Sequence, residues 1–202
     1  MASNADDNDV FVYMGAGEGG TAVPQDVVHI RVHPSVTSIP TKAFFQRKKL
    51  AEVELCEGLV EIGEESFGWY DHSITKINIP NSLRRIKDYA FSNSLQTPIR
   101  LHDGIERIGT AAFAECIFTN FRVPPLITVI PEYMLRGCIS TFSLELSENM
   151  REIRNAALHY CYCLRNVALP LNAVFGDDIF IDEDNNEMTD LQRLFGSTQE
   201  LH

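Results

Sequence analysis

The feature that most constrains this chain is a repeat of 22 to 24 residues that runs through its middle. Three of its segments, VEIGEESF at 60–67, RRIKDYAF at 84–91 and ERIGTAAF at 106–113, align without gaps. Each is preceded by a triplet in which two apolar residues flank a third residue: VEL, INI and IRL. A period of this length is typical of solenoids and related repeat architectures. The repeat therefore decides the fold before any single motif does.

Three columns of apolar residues hold this register along the chain. The second apolar residue of each triplet recurs at Val32, Leu55, Ile79, Leu101, Val123, Leu146 and Leu169. Seven residues after each of the first six stands an isoleucine: Ile39, Ile62, Ile86, Ile108, Ile130 and Ile153. Five residues further on stand Phe44, Phe67, Phe91, Phe113, Leu135 and Leu158. Three columns in one register indicate a structural repeat and not a coincidence.

A unit this short cannot bury its apolar side alone and must stack on copies of itself. The sequence therefore predicts an α/β, β-rich solenoid, with about seven short strands in a parallel sheet, roughly 4.8 Å apart, and short helical returns. Proline follows the strands, as at 79–80 and 123–124, and keeps each of them short. Alternate residues of a strand face opposite sides, so Ile77 and Ile79 should point inward and Asn78 outward.

The unit at 95–116, LQTPIRLHDGIERIGTAAFAEC, resembles the repeat of the BspA-like leucine-rich-repeat family, leucine-rich repeat type 5. The resemblance covers residues 27–172, and it departs from the family pattern at Leu135 and Leu158, where phenylalanine is usual. It implies a right-handed superhelix without shared catalytic residues, in a family whose members are generally binding or surface-interaction modules. The chain is also similar to uncharacterised algal members, which provide no function to transfer.

Charge divides the chain into three parts. Residues 1–26 hold five acidic residues and no basic ones, 27–172 hold fifteen acidic and sixteen basic, and 173–202 hold eight acidic and one basic. We predict an acidic N-terminal tail with a capping strand, a neutral leucine-rich-repeat solenoid, and an acidic linker with a short C-terminal helix. A neutral body with acidic ends argues against nucleic-acid binding.

Two further features of the sequence bear on localisation. No apolar stretch is long enough to cross a bilayer, and the first residues are acidic where a signal peptide is basic. We therefore expect a cytoplasmic protein that does not bind membranes.

The run VFVYMGAGEGG at 10–20 has the glycine spacing of a dinucleotide-binding turn. That turn works only where the strand leads directly into a helix whose first amides bind the pyrophosphate. Here Pro24 stands where the helix would run, and residues 27–32 have the pattern of another strand. We interpret VFVYM as a strand that covers the open apolar end of the solenoid, and we predict no nucleotide cofactor.

The other candidate motifs, for metal binding and for catalysis, each lack residues that the site would need. Cys161 and Cys163 have a metal-like spacing, but no second Cys/His pair follows them. The acidic run at 182–186 opens like a calcium loop but lacks the glycine and the bidentate glutamate. Cys116, Cys138 and Cys161 fall on one column and are interpreted as small buried thiols. No serine or cysteine has the context of a nucleophile, so we predict no metal, no cofactor and no catalytic residue.

The strand residues that face outward define a concave strand face, the surface on which leucine-rich repeats usually dock partners. They are Arg31, Glu54, Asn78, Arg100, Arg122, Glu145 and Ala168. On this face Arg100 and Arg122, extended by His102, are predicted to bind an acidic segment, of another protein or of the chain's own tail. The alternative is an ordinary polar face on which Glu54, Glu145 and solvent ions neutralise the arginines.

Trp69 and Tyr70, in the longest loop between repeats, are a second candidate contact. Exposed aromatic side chains are favoured binding anchors, although packing against the neighbouring repeat explains them equally well. The sequence thus predicts a non-enzymatic protein–protein interaction scaffold with no small-molecule substrate. The alternative is a purely structural repeat module, or a fragment of a larger multidomain protein, with no partner of its own.

Overall fold

A computed structural model describes residues 10–15, 22–68, 74–168, 170 and 172–179. Over these ranges the chain forms short strands and no helix, so none is present that could cross a membrane. The strands are β1 (Val10–Tyr13), β2 (His29–Val32), β3 (Ser38–Ile39), β4 (Glu52–Glu54), β5 (Glu61–Ile62), β6 (Lys76–Ile77), β7 (Arg85–Ile86), β8 (Arg107–Ile108), β9 (Asn120–Arg122), β10 (Val129–Ile130), β11 (Ser143–Glu145), β12 (Glu152–Ile153), β13 (Asn166–Val167) and β14 (Val174–Phe175).

Successive repeats contribute strands to two sheet faces. The strand face carries β1-β2-β4-β6 and then β9-β11-β13, and the second face carries β3-β5-β7-β8 and then β10-β12-β14. All pairs are parallel, and from β2 onward they join residues one repeat apart, as Ile30 with Val53. The first strand, β1, lies before the repeats and pairs with β2 at an interval of 19 residues, as Val10 with His29. The result is a parallel-strand β-solenoid of about seven turns, as the repeat predicts. Its right-handed sense stays a prediction.

The isoleucine column lies at the centre of the second face. Ile39 pairs with Ile62, Ile62 with Ile86, and Ile86 with Ile108, and all four side chains are buried. The column resumes where Ile130 pairs with Ile153. The predicted stacking of these isoleucines is confirmed, and it also forms a second parallel sheet that the sequence analysis did not predict.

The phenylalanine column forms a continuous stack through the core. The ring centroids of Phe44 and Phe67 are 4.9 Å apart, those of Phe67 and Phe91 5.1 Å, and those of Phe91 and Phe113 5.7 Å. The last two pairs are within 4° of parallel, and all four side chains are fully buried. Tyr13 of β1 packs edge-on against Phe44, so β1 covers the N-terminal end of the stack.

The returns from the second face to the next strand are not helical, which corrects the prediction of short helical returns. In a helix each N–H bonds the carbonyl four residues earlier. Here alternate N–H groups bond the next repeat instead, as Phe67 N–H to the Ala90 carbonyl and Phe91 N–H to the Ala112 carbonyl, both 2.9 Å. A residue with left-handed backbone conformation, two positions before the phenylalanine column, directs these N–H groups toward the next repeat. These residues are Lys42, Glu65, Tyr89, Ala111, Tyr133 and Ala156, with φ of 49° to 60°.

A strand predicted around Arg100 and Leu101 does not form, which divides the strand face between β6 and β9. At the equivalent position in other repeats, residues such as Glu52, Lys76 and Ser143 donate their N–H to a carbonyl of the preceding repeat. Pro98 occupies that position in this repeat and has no N–H to donate. Within 74–168, residues 97–101 accordingly donate no backbone hydrogen bond to a neighbouring repeat.

Other bonds hold the two halves of the strand face together. The return hydrogen bonds continue across the junction, with Phe113 N–H 3.1 Å from the Met134 carbonyl. The ring of Phe113 also packs against Phe118 and Phe121, at centroid distances of 6.0 and 5.4 Å. Gly17, Gly20, Leu169, the acidic run at 182–186 and the predicted C-terminal helix lie outside the described residues.

Candidate binding faces

Arg122 lies on the strand face, as predicted, but two carboxylates already bind it. Its Nη1 is 2.5 Å from Asp103 Oδ1, and its Nε is 3.2 Å from Oε1 of Glu145, the residue beside it in β11. The hydrogen bond that Arg122 donates to Asp103 raises the pKa of the guanidinium above its ordinary value, and Glu145 adds to the effect. An acidic partner would therefore have to compete with two carboxylates for this arginine.

Arg100 is in a different situation. It is exposed, it lies in the segment that Pro98 keeps out of the sheet, and it forms no ion pair within the described part of the chain. Within the described residues the backbone N–H groups of 97–101 also donate to no neighbouring repeat, so backbone pairing across the strand face does not hold this segment.

His102 is half-buried at the end of the same segment. Its Nδ1 accepts the N–H of Gly104 at 3.1 Å, so the neutral ring carries its proton on Nε2. That Nε2 is buried and has no hydrogen-bond partner among the described residues. The three predicted site residues thus lie in adjoining repeats, but only Arg100 presents an unpaired charge.

The remaining charges of the strand face pair across repeats. Arg31 Nε is 2.6 Å from Glu54 Oε2, and Lys76 Nζ is 2.9 Å from Glu52 Oε2. The hydrogen bond from Arg31 lowers the pKa of Glu54, and that from Lys76 lowers the pKa of Glu52. Exposed pairs of this kind contribute little to stability. Their main consequence is that the described part of the strand face is largely self-neutralised, whereas Arg100 has no carboxylate partner there.

Trp69 and Tyr70, the second predicted contact, lie outside the described residues. The turns that return from the second face to the next strand form a further surface, the return face. Two other tyrosines line a cleft there, about 420 Å³ in volume, which was not among the predicted sites. These are Tyr89 and Tyr133, both two positions before the phenylalanine column. A signal for this pair was present in the sequence, since the two residues occupy the same column with Ala111 between them.

The cysteine column is buried, as its interpretation requires. The thiols of Cys116, Cys138 and Cys161 donate to the carbonyls of Phe91, Phe113 and Leu135 at 3.1 to 3.2 Å. Burial raises the pKa of Cys116 and of Cys161 to about 12, and it raises that of Cys138 well above its ordinary value. A thiol that stays protonated is a poor nucleophile and a poor metal ligand, so these groups fill space.

We expect the three column thiols to be unreactive in the folded protein. A thiol reagent at neutral pH should label the exposed Cys163 rapidly and the half-buried Cys56 more slowly, and it should label Cys116, Cys138 and Cys161 only in denaturant. Mass spectrometry of digested, alkylated protein distinguishes the five sites. Rapid labelling of Cys138 under native conditions would contradict the buried column.

Burial of these thiols also makes the free energy of unfolding depend on pH. Because the folded pKa is raised, the folded state prefers the protonated thiol, and this stabilisation is complete below the ordinary value of 9.0. It is lost as the pH rises from there through about 12. The free energy of unfolding should therefore fall over that interval, and less steeply in a Cys116→Ala variant.

No metal site is formed by the described residues, which contain no group of three or more histidine, cysteine, aspartate or glutamate side chains with suitable geometry. Cys161 is buried and Cys163 is exposed, so the two thiols of the metal-like spacing do not share an environment.

The class of protein defined by these features is a leucine-rich-repeat solenoid with polar faces.

The chain belongs to the family described as "BspA type Leucine rich repeat region (6 copies)", whose model matches residues 25–69 and 68–187. Its structure is similar to that of the T. pallidum leucine rich repeat protein TpLRR, with a TM-score of 0.75, 20% identity, and coverage of 95% of this chain and 91% of that one. A leucine-rich repeat protein from Bacteroides ovatus has a TM-score of 0.60 and 25% identity. That match covers 74% of this chain and 48% of the other, so this chain spans about half its length. No curated protein matches the chain at a significant level of similarity.

Proposed function

We propose that the chain is a non-enzymatic protein-interaction scaffold, and that Arg100 on the strand face binds an acidic segment of a partner protein. The observation that carries the proposal is a contrast in pairing. Arg31, Lys76 and Arg122 each lie within 3.2 Å of a carboxylate, whereas Arg100 is exposed and has none among the described residues. An unpaired cation on a preformed, rigid face is suited to a carboxylate ligand.

Two further features support this choice. The segment at 97–101 donates no backbone hydrogen bond to its neighbours in the described range, so the backbone beside Arg100 is not fixed by sheet pairing and can adjust to an acidic peptide. The family and both structural relatives are leucine-rich-repeat proteins, which favours a binding role over catalysis.

The test is capture by crosslinking from the native cell, with the full chain as bait and bound proteins quantified by mass spectrometry. Arg100→Glu should reduce recovery of the partner about tenfold, because a repulsive charge replaces an attractive one at the contact. Arg151→Glu is the matched control, since Arg151 is also exposed and without an ion pair in the described ranges but lies next to β12 on the second face.

The proposal fails if every captured protein is retained equally by Arg100→Glu and by the double variant Arg100→Glu/Arg122→Glu.

One observation favours the second candidate, a purely structural module without a partner: most strand-face charges are already neutralised within the chain. That candidate predicts no reproducible partner for the wild-type chain at all.

A further inference from the structure

The return face carries a cleft that is separate from the strand face and independent of the proposed function. Its two walls are Tyr89 and Tyr133, which lie two repeats apart in one column, with Ala111 between them. The N–H of Tyr89 bonds the Thr110 carbonyl at 2.8 Å, and that of Ala111 bonds the Glu132 carbonyl at 3.0 Å. Hydrogen bonds of this kind set a spacing of about 4.8 Å per repeat, so the tyrosine backbones are about 9.6 Å apart.

The backbone fixes where these two side chains start. Tyr89 has a φ of 55° and Tyr133 a φ of 58°, a left-handed conformation that is rare for bulky residues. The same turn position is left-handed in other repeats, at Lys42 and Glu65 for example, so the conformation belongs to the fold. Its effect here is to start two tyrosine side chains from the same backbone conformation on either side of one alanine, and both of them line the cleft.

The floor of the cleft is small and apolar. Ala111 and Ala114 line it, and both are buried. Tyr133 is 38% exposed, so its ring is accessible to a ligand. The cleft is about 420 Å³ in volume, which is within the range of small-molecule sites in proteins.

The rim is polar but carries no net charge. Ser92, Asn93, Glu115 and Arg136 line it, and Arg136 Nη1 is 3.2 Å from Glu115 Oε1. The guanidinium of Arg136 also lies 5.3 Å from the ring centroid of Tyr160, which holds it in place. Together these groups supply hydrogen-bond donors and acceptors in a site whose one carboxylate is already neutralised.

We propose that this tyrosine cleft binds a neutral carbohydrate, with one pyranose ring inserted between Tyr89 and Tyr133. A flat aromatic ligand would fill only about 7 to 8 Å between two rings, twice the contact distance of carbon atoms. A saturated ring is thicker, because its axial hydrogens stand off both faces. Sugar hydroxyls both donate and accept hydrogen bonds, which matches the mixed rim formed by Ser92, Asn93, Glu115 and Arg136.

The charge of the cleft favours a neutral sugar over a quaternary ammonium ion, which is another class of ligand that binds aromatic side chains. A quaternary ammonium ion is attracted to the faces of aromatic rings. In this cleft the paired Arg136 cancels the charge of Glu115, and it would repel a cation. The proposal goes beyond the sequence-based prediction, which was a protein partner and no small-molecule substrate.

The experiment is calorimetric titration of the full chain with five neutral pentasaccharides: β-1,4-glucose, α-1,4-glucose, β-1,4-mannose, β-1,4-xylose and β-1,4-N-acetylglucosamine. At least one should bind saturably with one site. Tyr133→Ala should weaken that binding about tenfold, equivalent to about 1.4 kcal/mol, because half of the stacking surface is lost. Tyr133→Phe keeps the ring and should retain binding within about twofold.

Phe142→Ala is the control, because Phe142 is an aromatic residue, 50% exposed, that does not line the cleft. Unchanged melting curves for the variants show that the fold survives, so loss of binding can be assigned to the cleft. The proposal is overturned if none of the five sugars binds saturably, or if binding is the same in Tyr133→Ala. It is also overturned if tetramethylammonium, and no sugar, binds in a manner that Tyr133→Ala abolishes.

Discussion

Phe91→Ala should lower the free energy of unfolding by about 3 to 5 kcal/mol. Phe91 is fully buried in the middle of the aromatic stack, with parallel rings on both sides at 5.1 and 5.7 Å. Removing its ring takes away two stacking contacts at once and leaves a cavity that Phe67 and Phe113 cannot fill, because each is held in place by its own repeat. Since domains are stable by only about 5 to 15 kcal/mol, the loss is a large fraction of the total.

Urea unfolding followed by circular dichroism measures this change. Phe142→Ala, at a half-exposed site outside the stack, should change the free energy of unfolding by no more than about 0.5 kcal/mol. A loss smaller than about 1 kcal/mol for Phe91→Ala would mean that the stack does not form in solution.

Gly63→Ala should destabilise the protein by about 1 to 3 kcal/mol, although it adds a single methyl group. A Cβ at this position would lie 2.5 Å from the carbonyl oxygen of Ile39, 2.6 Å from Pro40 C and 2.7 Å from Thr41 N. These atoms are all backbone atoms of the preceding repeat, so neither a rotamer change nor a local side-chain shift relieves the overlap. Gly63 is therefore needed for the close approach of two repeats and not for an unusual φ.

Gly104→Ala is the matched control for that substitution. The nearest atoms to a Cβ at Gly104 belong to the side chains of Arg84 and His102, at 3.1 Å, and these can move. Thermal melting of the two variants side by side should show a clear loss for Gly63→Ala and a small one for Gly104→Ala. Equal melting temperatures would contradict the repeat spacing described for the second face.

The architecture could be predicted because it is written in residues that recur at a fixed interval. Ile62, Ile86 and Ile108 repeat in both identity and position, and so do Phe67, Phe91 and Phe113, so their stacking follows from the columns alone. The same columns could not distinguish a second strand from an apolar turn, because two residues are too few to show the alternation of a strand.

The prediction of helical returns between the strands was wrong because the backbone conformation there does not show in the sequence. Left-handed backbone usually shows in a sequence as glycine or asparagine, but here Lys42, Tyr89 and Ala111 adopt it. Nothing in those side chains signals the conformation, which the hydrogen bonds to the next repeat enforce. The absence of a strand at 97–101 could have been predicted from Pro98. Proline has no N–H to donate to the neighbouring repeat, and this loss prevents the strand that the apolar pattern around it predicts.

The candidate sites were predicted only in part. The predicted outward direction of Arg100 and Arg122 follows from strand alternation. Asp103, just beyond the segment at 97–101 that forms no strand, pairs with Arg122 through a side-chain geometry that the repeat does not encode. Arg122 pairs with Glu145, as the alternative of a neutralised polar face supposes, whereas Arg100 has no carboxylate partner among the described residues. The tyrosine cleft depends on which residues stand two positions before the phenylalanine column, and because that position varies between repeats, for example Tyr89, Ala111 and Tyr133, it shows no recurring pattern.

The most direct test of the central claim, that successive repeats stack in register, is a methyl NOESY spectrum of protein labelled at the isoleucine δ1 methyl groups. The account predicts cross-peaks between Ile62 and Ile86 and between Ile86 and Ile108, which pair on neighbouring strands of the second face. It predicts none between Ile62 and Ile108, about 9.6 Å apart across two strand spacings. Absence of the first two cross-peaks, or a strong direct one between Ile62 and Ile108, would contradict it.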